Sequence, residues 1–175
     1  MSPRRASRHS TTLQTSPRKG RRLGIVAINR TKVLEAAQKH RRKGNLDKAI
    51  REYRTLMEDD PQDMRTLLVL ADLYVKTQKS EEALGAYKSI AYHYLKDDIY
   101  DKAVGVFKQA LNLDPADPAL RRDLGEAYHR MGRLKEAVGE YHHAQRLYAE
   151  RGDAHNQRDI LERMVRLEPE EPALR

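Results

Sequence analysis

His142 and His143 are the first candidates for metal-ion or acid–base chemistry in this chain of 175 residues, which contains seven His and no Cys. Adjacent side chains on a helix point about 100° apart, so these two imidazoles cannot chelate one ion as an i, i+4 pair does. His129 lies on a neighbouring predicted helix, but neither a carboxylate nor a further His is well placed beside it and His142. We therefore expect solvated histidines and no metal site.

The remaining motifs of catalysis and cofactor binding are missing from the sequence. It contains neither a G-x-x-x-x-G-K-[ST] nor a G-x-G-x-x-G loop, and Gly85 and Gly105 lie inside predicted helices. Beyond residue 30 the only serines are Ser80 and Ser89, and neither lies in a G-x-S-x-G turn. We expect no enzymatic activity and no cofactor.

The positive charge is concentrated at the start of the chain. The formal net charge is +8, and residues 1–30 contain eight Arg and Lys with no Asp or Glu, so the rest of the chain is neutral. Residues 1–28 are rich in Ser, Thr and Pro and lack helical or strand periodicity, which predicts a disordered basic tail. Its longest apolar stretch, Leu23 to Ile28, is too short for a signal peptide, and no segment is long enough to span a membrane. We expect a cytoplasmic protein.

Three prolines close acidic turns at a constant spacing of 54 residues, at positions 61, 115 and 169. The same interval relates Gly44, Asp98 and Gly152, Leu70 and Leu124, Tyr74 and Tyr128, and Tyr87 and Tyr141. Within each unit, the segments around Ala49, Ala83, Ala103 and Ala137 resemble one another at steps of 34, 20 and 34 residues. Such a fixed period is typical of stacked repeats.

The pattern predicts eight helices. Between Ser80 and Asp98 there is no Pro and only one Gly, which predicts one helix of about five turns that serves two successive repeats. The predicted helices cover residues 31–43, 46–59, 63–77, 80–97, 99–113, 117–131, 134–151 and 154–167.

The segment from Asn45 to Tyr53, NLDKAIREY, resembles the second helix of a tetratricopeptide repeat (TPR), and the segment from Leu124 to Arg133, LGEAYHRMGR, resembles the first. A small Ala or Gly in this motif lets antiparallel helices approach closely, while Tyr and Leu fill the space beside them. The resemblance covers residues 29–169. It implies an all-α, TPR-like right-handed α-solenoid of about eight antiparallel helices.

The resemblance also implies a concave groove, lined by the first helix of each repeat, that binds an extended or helical peptide. Steps of three or four residues along those helices give the candidate partner-binding residues. They are Gln38, Arg41, Arg65, Asp72, Lys88, Tyr92, Arg122, Glu126, His129, His142 and Arg146, with Leu34 and Leu68 on the same faces. Because cations outnumber anions among them, we expect a protein or peptide partner that carries carboxylate groups.

Most tyrosines occupy repeat positions at which packing between helices is expected, and Tyr92 and Tyr100 are the better candidates for exposed contact. Some TPR proteins grip the C-terminal carboxylate of chaperone tails with a fixed set of Lys, Asn and Arg. The corresponding positions here hold Leu34, Gln38, Val69, Gly85 and Ser89, so a chaperone-tail adaptor is disfavoured.

The last residues repeat an earlier helix start. The tetrapeptide Pro-Ala-Leu-Arg occurs at residues 118–121 and again at 172–175, so residues 170–175 are interpreted as the start of an incomplete further repeat. Without that helix, we expect the apolar side of the eighth helix to lack a cover and to mediate self-association or partner contact. This side comprises Ile160, Leu161, Met164, Val165 and Leu167.

The sequence favours a non-catalytic scaffold or adaptor that binds a partner through the groove, the uncovered helix face or both. The mixture of 34- and 20-residue steps resembles bacterial TPR proteins. The alternative function is nucleic-acid association, only through the Arg-rich residues 1–28, although no aromatic residue is interleaved among their cations. Those residues are equally interpretable as a variable extension or a misassigned start.

Overall fold

Eight consecutive α-helices form the computed structural model, which describes residues 28–167. The predictions made for residues 1–27 and 168–175, which include most of the basic tail and the incomplete repeat, lie outside this range. The helices are α1 (Arg30–Arg42), α2 (Leu46–Asp59), α3 (Met64–Lys76), α4 (Ser80–Lys96), α5 (Tyr100–Leu113), α6 (Pro118–Arg130), α7 (Leu134–Glu150) and α8 (Ala154–Leu167). Every predicted helix is present, and each end lies within one residue of its prediction.

The turns repeat along the chain because the same local chemistry repeats. Asp63 begins α3 by accepting the Thr66 amide, and Asp117 begins α6 by accepting the amides of Ala119 and Leu120. These side-chain caps satisfy amides that the first helical turn leaves unpaired. Each helix then packs chiefly on the helices before and after it, which is the arrangement of a solenoid.

The residues that adopt a left-handed backbone conformation follow the predicted steps of 34 and 20 residues. They are Gly44, Gln78, Asp98, Gly132 and Gly152. Glycine or Asp tolerates this conformation easily, and all five positions lie between predicted helices. Gln78 is the exception, since its side chain gives no turn signal and its φ is 58°.

Fully buried alanines mark the closest helix contacts. Ala49, Ala83, Ala103 and Ala137, on which the repeat steps are centred, are inaccessible to solvent. The two long helices α4 and α7 are uninterrupted over 17 residues each, so that each packs on both of its neighbours. Close packing of this kind needs small side chains at the contact.

Two hydrophobic clusters form the core of the part described. The N-terminal cluster joins α1, α2 and α3 and includes Leu56, Leu70 and Leu73. The main cluster runs from Ala71 on α3 to α8. Tyr53, Tyr87, Tyr128, Tyr141 and Tyr148 are buried in these clusters, and Tyr74 and Tyr94 pack against them. The predicted packing role of these tyrosines is confirmed.

Candidate protein-binding surface

Two of the candidate binding residues bond to the next helix through one repeated contact. The Tyr87 hydroxyl on α4 donates to Asp72 on α3 at 3.1 Å, and the Tyr141 hydroxyl on α7 donates to Glu126 on α6 at 3.2 Å. The two pairs are equivalent in the repeat, because each residue of the second pair follows its counterpart in the first by 54 residues. Burial first, and then the neighbouring carboxylate, raises the pKa of both tyrosines to about 12. Asp72 and Glu126 therefore hold the helix pairs together.

Glu126 has further partners that keep it ionised. Arg130 Nε donates to Glu126 Oε1 at 2.8 Å, and Arg163 Nη1 of α8 reaches Glu126 Oε2 at 3.2 Å. Burial raises the pKa of Glu126, but the hydrogen bonds from Arg130 and Tyr141 outweigh that effect and the pKa is lowered. This carboxylate thus links α6, α7 and α8.

Lys88 forms an ion pair across the surface between α4 and α6. Its Nζ donates to Asp117 Oδ2 at 2.6 Å, and the other oxygen of Asp117 caps α6. Burial raises the pKa of Asp117, but the Lys88 hydrogen bond and the Leu120 amide outweigh it, so the pKa is lowered. Arg30 makes the corresponding contact one repeat earlier, since it pairs with the Asp63 cap of α3.

Tyr92 and Arg122 share a second carboxylate, the buried Asp123. The Tyr92 hydroxyl donates to Asp123 Oδ2 at 2.6 Å, and Arg122 Nε donates to Asp123 Oδ1 at 2.7 Å. Burial and the bond to Asp123 raise the pKa of Tyr92. The Tyr92 ring meets Phe107 edge-on, with centroids 5.8 Å apart. Although Tyr92 is 42% exposed as expected, both its ring and its hydroxyl have partners. Tyr100 also has one, because its hydroxyl bonds to Asp98.

The candidate residues therefore divide into two sets. Asp72, Lys88, Tyr92, Arg122 and Glu126 are bonded within the protein. Ion pairs balance the charges of Lys88, Arg122 and Glu126. The others have no side-chain hydrogen bond to any residue between 28 and 167. They comprise half-buried Gln38 and exposed Arg41, Arg65, His129, His142 and Arg146. Arg146 lies 3.9 Å from Glu150 in a highly exposed ion pair. The second set is the one available to a partner.

The apolar side of α8 is only partly uncovered. The prediction is wrong for Ile160, Met164 and Leu167, because these residues lie on the stripe that packs against the main cluster. Leu161 and Val165 are 45% and 71% exposed. At the same register in α5, Phe107 and Leu111 are 0% and 8% exposed. Helix α6, which packs on α5, accounts for that difference.

Asp117 and Asp123 are residues of this candidate surface that sequence reasoning missed. Asp117 carried a usable signal, since Asp before Pro118 is a typical helix start and matches Asp63 in register. Asp123 carried none, because a polar residue in the middle of an amphipathic helix is normally expected at the surface.

Within residues 28–167, no cluster of three or more His, Asp or Glu is arranged to hold a metal ion. Over the same range, no helix has the length and apolar character needed to cross a membrane.

The sequence profile of the tetratricopeptide repeat matches residues 40–100 and 94–156, two segments that begin 54 residues apart. The chain belongs to the tetratricopeptide repeat family. No curated protein matches the sequence of this TPR chain.

The solved structures that are similar to this TPR protein share little sequence with it. A crystal structure of MamA is 22% identical to this chain. The match covers 79% of this chain and 87% of the MamA chain, with a TM-score of 0.37. MamA 41-end from Desulfovibrio magneticus RS-1 is 15% identical, with 81% and 97% coverage and a TM-score of 0.35. The TPR2B domain of yeast Sti1 in complex with pHsp70 is 14% identical, with 79% and 94% coverage and a TM-score of 0.36.

Proposed function

We propose that this TPR protein is a non-catalytic scaffold that binds a partner protein. Binding uses the exposed cations among the candidate partner-binding residues of the groove, which are here called the inner surface. Membership of the TPR family supports a protein-interaction role. The observation that carries the proposal is the contrast between cations held by buried carboxylates and exposed cations on this surface. Lys88 and Arg122 are held by buried carboxylates, whereas Arg65 and Arg146 are exposed.

A partner that carries carboxylates fits this surface. An exposed guanidinium binds a carboxylate through two parallel hydrogen bonds and is desolvated at lower cost than an ammonium group. The neutralised centre around Asp117 and Asp123 adds polar surface without net charge. The exposed residues Leu161 and Val165 on α8 extend the binding area at the end of the array and are also the surface for self-association. The absence of cysteine supports a cytoplasmic location.

Affinity capture with the full chain tests the proposal. Arg65→Glu with Arg146→Glu reverses two exposed charges, and we expect it to remove the captured partner. Arg122 is unsuitable for this test because its reversal would place a second carboxylate beside Asp123. The matched control is Arg51→Glu with Arg158→Glu, an equal charge change on exposed residues of α2 and α8.

Loss of the partner in the inner-surface variant alone supports the groove. Loss only in Leu161→Glu with Val165→Glu would assign binding to α8 instead. Equal loss in the control, or capture that none of the variants changes, contradicts the proposal.

Residues 1–28 provide the second candidate function, which is binding of nucleic acid. Seven Arg and Lys with no acidic residue are the observation that favours it. Such binding depends steeply on salt because it releases counterions. Duplex DNA titrated across a salt series, with and without residues 1–27, separates the two functions. Unchanged DNA binding after the deletion would eliminate this candidate.

A further inference from the structure

Cations are concentrated around the turn between α1 and α2. Residues 39–51 contain six Lys or Arg residues and one acidic residue. The equivalent segments one and two repeat units later, residues 93–105 and 147–159, each contain two Lys or Arg and three acidic residues. Because those segments form the same turn between helices, the fold does not require the six cations. They are Lys39, Arg41, Arg42, Lys43, Lys48 and Arg51, and all six are exposed.

These positive charges are not balanced by neighbouring carboxylates. Within residues 28–167, none of the six side chains forms an ion pair, and Asp47, the one acidic residue of the segment, pairs with Lys79 instead. Like charges three or four residues apart on a helix repel one another, as Lys48 and Arg51 do on α2. The turn therefore carries a repulsion that a bound polyanion would relieve.

Helix stabilisation explains only part of this cluster. Lys39 and Arg42 lie in the last turn of α1, where a cation offsets the negative end of the helix dipole. Lys48 lies in the first turn of α2, which is the positive end of that helix, and Arg51 lies one turn further along. The dipole does not stabilise a cation at either of these two positions. A binding role explains all of them.

An open depression beside these residues contains an unpaired polar atom. It has a volume of about 270 Å³ and is lined by His40, Lys48, Arg51 and Glu52, so that its cations outnumber its carboxylate. His40 Nδ1 is buried and has no hydrogen-bond partner among residues 28–167. When it carries the proton, this nitrogen can donate to an oxygen of a bound anion. Tyrosine occupies the position equivalent to His40 in the later repeats, at residues 74, 94, 128 and 148.

This surface is distinct from the groove of the proposed partner site. The groove is lined by the first helix of each repeat, whereas Lys48 belongs to α2, which is a second helix. On α1, Lys39 and Lys43 lie about 100° and 140° around the helix axis from the groove residue Gln38. Arg41 is a groove residue. The other five cations are here called the basic turn: Lys39, Arg42, Lys43, Lys48 and Arg51.

We propose that the basic turn binds the phosphate backbone of double-stranded nucleic acid. A duplex carries one negative charge per about 1.7 Å of its axis, and its regular phosphates suit cations that two packed helices keep at a constant spacing. Single strands bind largely by stacking on aromatic rings, and membrane surfaces bind exposed apolar side chains. Residues 39–51 contain no Phe, Tyr or Trp, and their aliphatic side chains are buried or half-buried. Such binding is independent of the scaffold function and uses the folded helices rather than residues 1–28.

Removing charge from the basic turn of the full chain tests the proposal. The turn variant carries Lys39→Gln, Lys43→Gln and Lys48→Gln. The matched control carries Lys76→Gln, Lys96→Gln and Lys135→Gln. These control lysines are also exposed, and they lie in the last turns of α3 and α4 and in the first turn of α7. Circular dichroism verifies that both variants keep their helices.

Fluorescence anisotropy with a labelled DNA duplex measures binding across a salt series. Each phosphate contact that is lost lowers the slope of log K against log salt by about 0.9. We expect the turn variant to lower this slope by about 2–3 and to weaken binding at low salt roughly tenfold or more. The control should keep the slope of the wild type. Two duplexes of unrelated sequence should bind equally, because contacts to phosphate carry no sequence information.

Equal slopes for the wild type and the turn variant would assign all DNA binding to residues 1–28, which overturns the proposal and leaves that candidate function intact. Equal decreases in the turn variant and the control also overturn it, because net charge alone would then determine binding. Tighter binding of single-stranded DNA than of the duplex contradicts the choice of a duplex. Phosphatidylserine vesicles and polyglutamate test the other polyanions. If either binds through the three lysines while duplex DNA does not, the surface belongs to a membrane or an acidic protein and the proposal fails.

Discussion

The hydroxyl of Tyr141 donates a hydrogen bond to Glu126 across the contact between α7 and α6, at 3.2 Å. Tyr87 and Asp72 make the same contact 54 residues earlier, at 3.1 Å. At the equivalent position between α5 and α4, Phe107 has no hydroxyl and meets the ring of Tyr92 instead. The same position between two helices therefore holds either a hydrogen bond from a tyrosine to a carboxylate or a contact between two aromatic rings.

Removing one tyrosine hydroxyl tests the energetic value of this pair. We expect Tyr141→Phe to lower the free energy of unfolding by about 1 kcal/mol, because Glu126 loses a neutral donor in a partly buried site. Urea denaturation followed by circular dichroism measures the change. Tyr53→Phe is the control, since the Tyr53 hydroxyl bonds to none of residues 28–167 and its removal should leave stability unchanged. Equal effects of the two substitutions would contradict this assignment.

Alkaline pH should destabilise the fold through the same tyrosines. The pKa of Tyr87 and of Tyr141 is raised to about 12 in the folded protein, whereas an unfolded tyrosine titrates near 10. A raised folded pKa stabilises the fold below pH 10, and that contribution is lost as pH rises through the interval from 10 to 12. Thermal unfolding at pH 9 and pH 11 should show a smaller decrease in Tm for Tyr87→Phe with Tyr141→Phe than for the wild type. An identical decrease in both proteins would argue against this origin.

Acid should remove the contribution of the Lys88–Asp117 ion pair. The folded pKa of Asp117 is lowered, so its stabilisation is present above the unfolded pKa, near 4, and is lost as pH falls through the folded value. Asn also caps helices, so Asp117→Asn removes the charge and keeps the cap. We expect it to cost about 1 kcal/mol at pH 7 and much less at pH 2, measured by urea denaturation.

The control for Asp117 is Asp47→Asn. Asp47 pairs with Lys79, but its side chain is 74% exposed, so no measurable change in stability is expected. A loss as large as that of Asp117→Asn would show that the burial of the pair does not matter.

Gly125 is required by the close contact of α6 and α7. A Cβ at this position would lie 2.7 Å from Cε1 of the buried Tyr141 ring. We expect Gly125→Ala to lower the free energy of unfolding by about 1–3 kcal/mol through overpacking. Gly139→Ala is the matched control on α7, because nothing lies within 4 Å of its Cβ. Since Ala favours helix, this control should raise stability by about 0.5–1 kcal/mol. Equal signs for the two substitutions would refute the packing explanation.

Gln78 carries backbone strain that its register counterpart Gly132 avoids, as both have positive φ. A non-glycine residue pays about 1 kcal/mol or more in this conformation. We expect Gln78→Gly to raise Tm and Gly132→Gln to lower it, as measured by differential scanning calorimetry. A decrease in Tm for Gln78→Gly would show that its side chain contributes contacts that exceed the strain.

Local patterns determined most of the fold. The prolines that close acidic turns and the spacing of the repeat alanines predicted all eight helices to within one residue. The turn at Gln78 was located only as the gap between two helices, since its residue type gives no signal for a left-handed conformation. The exposed residues Arg65 and Arg146 were also predictable, because helical periodicity determines which positions share a face.

The polar contacts of the surface could not be predicted in the same way. Lys88 and Asp117 are 29 residues apart, and Tyr92 and Asp123 are 31 apart. Whether such side chains meet depends on the distance between α4 and α6, which is determined by the packing of α5 beneath them. Periodicity therefore indicated on which helix face Lys88, Tyr92, Arg122 and Glu126 lie. It did not indicate that carboxylates and tyrosines of the same chain form hydrogen bonds with them.

The sequence by itself determined the repeat, its helices and the place of its excess charge, because these depend on residues that are close along the chain. Only the tertiary structure decided which surface groups remain free and that Arg121 of α6 and Glu140 of α7 form an ion pair. The physical reason is that ion pairing depends on side-chain length relative to the spacing between helices, and the residue pattern does not specify that spacing.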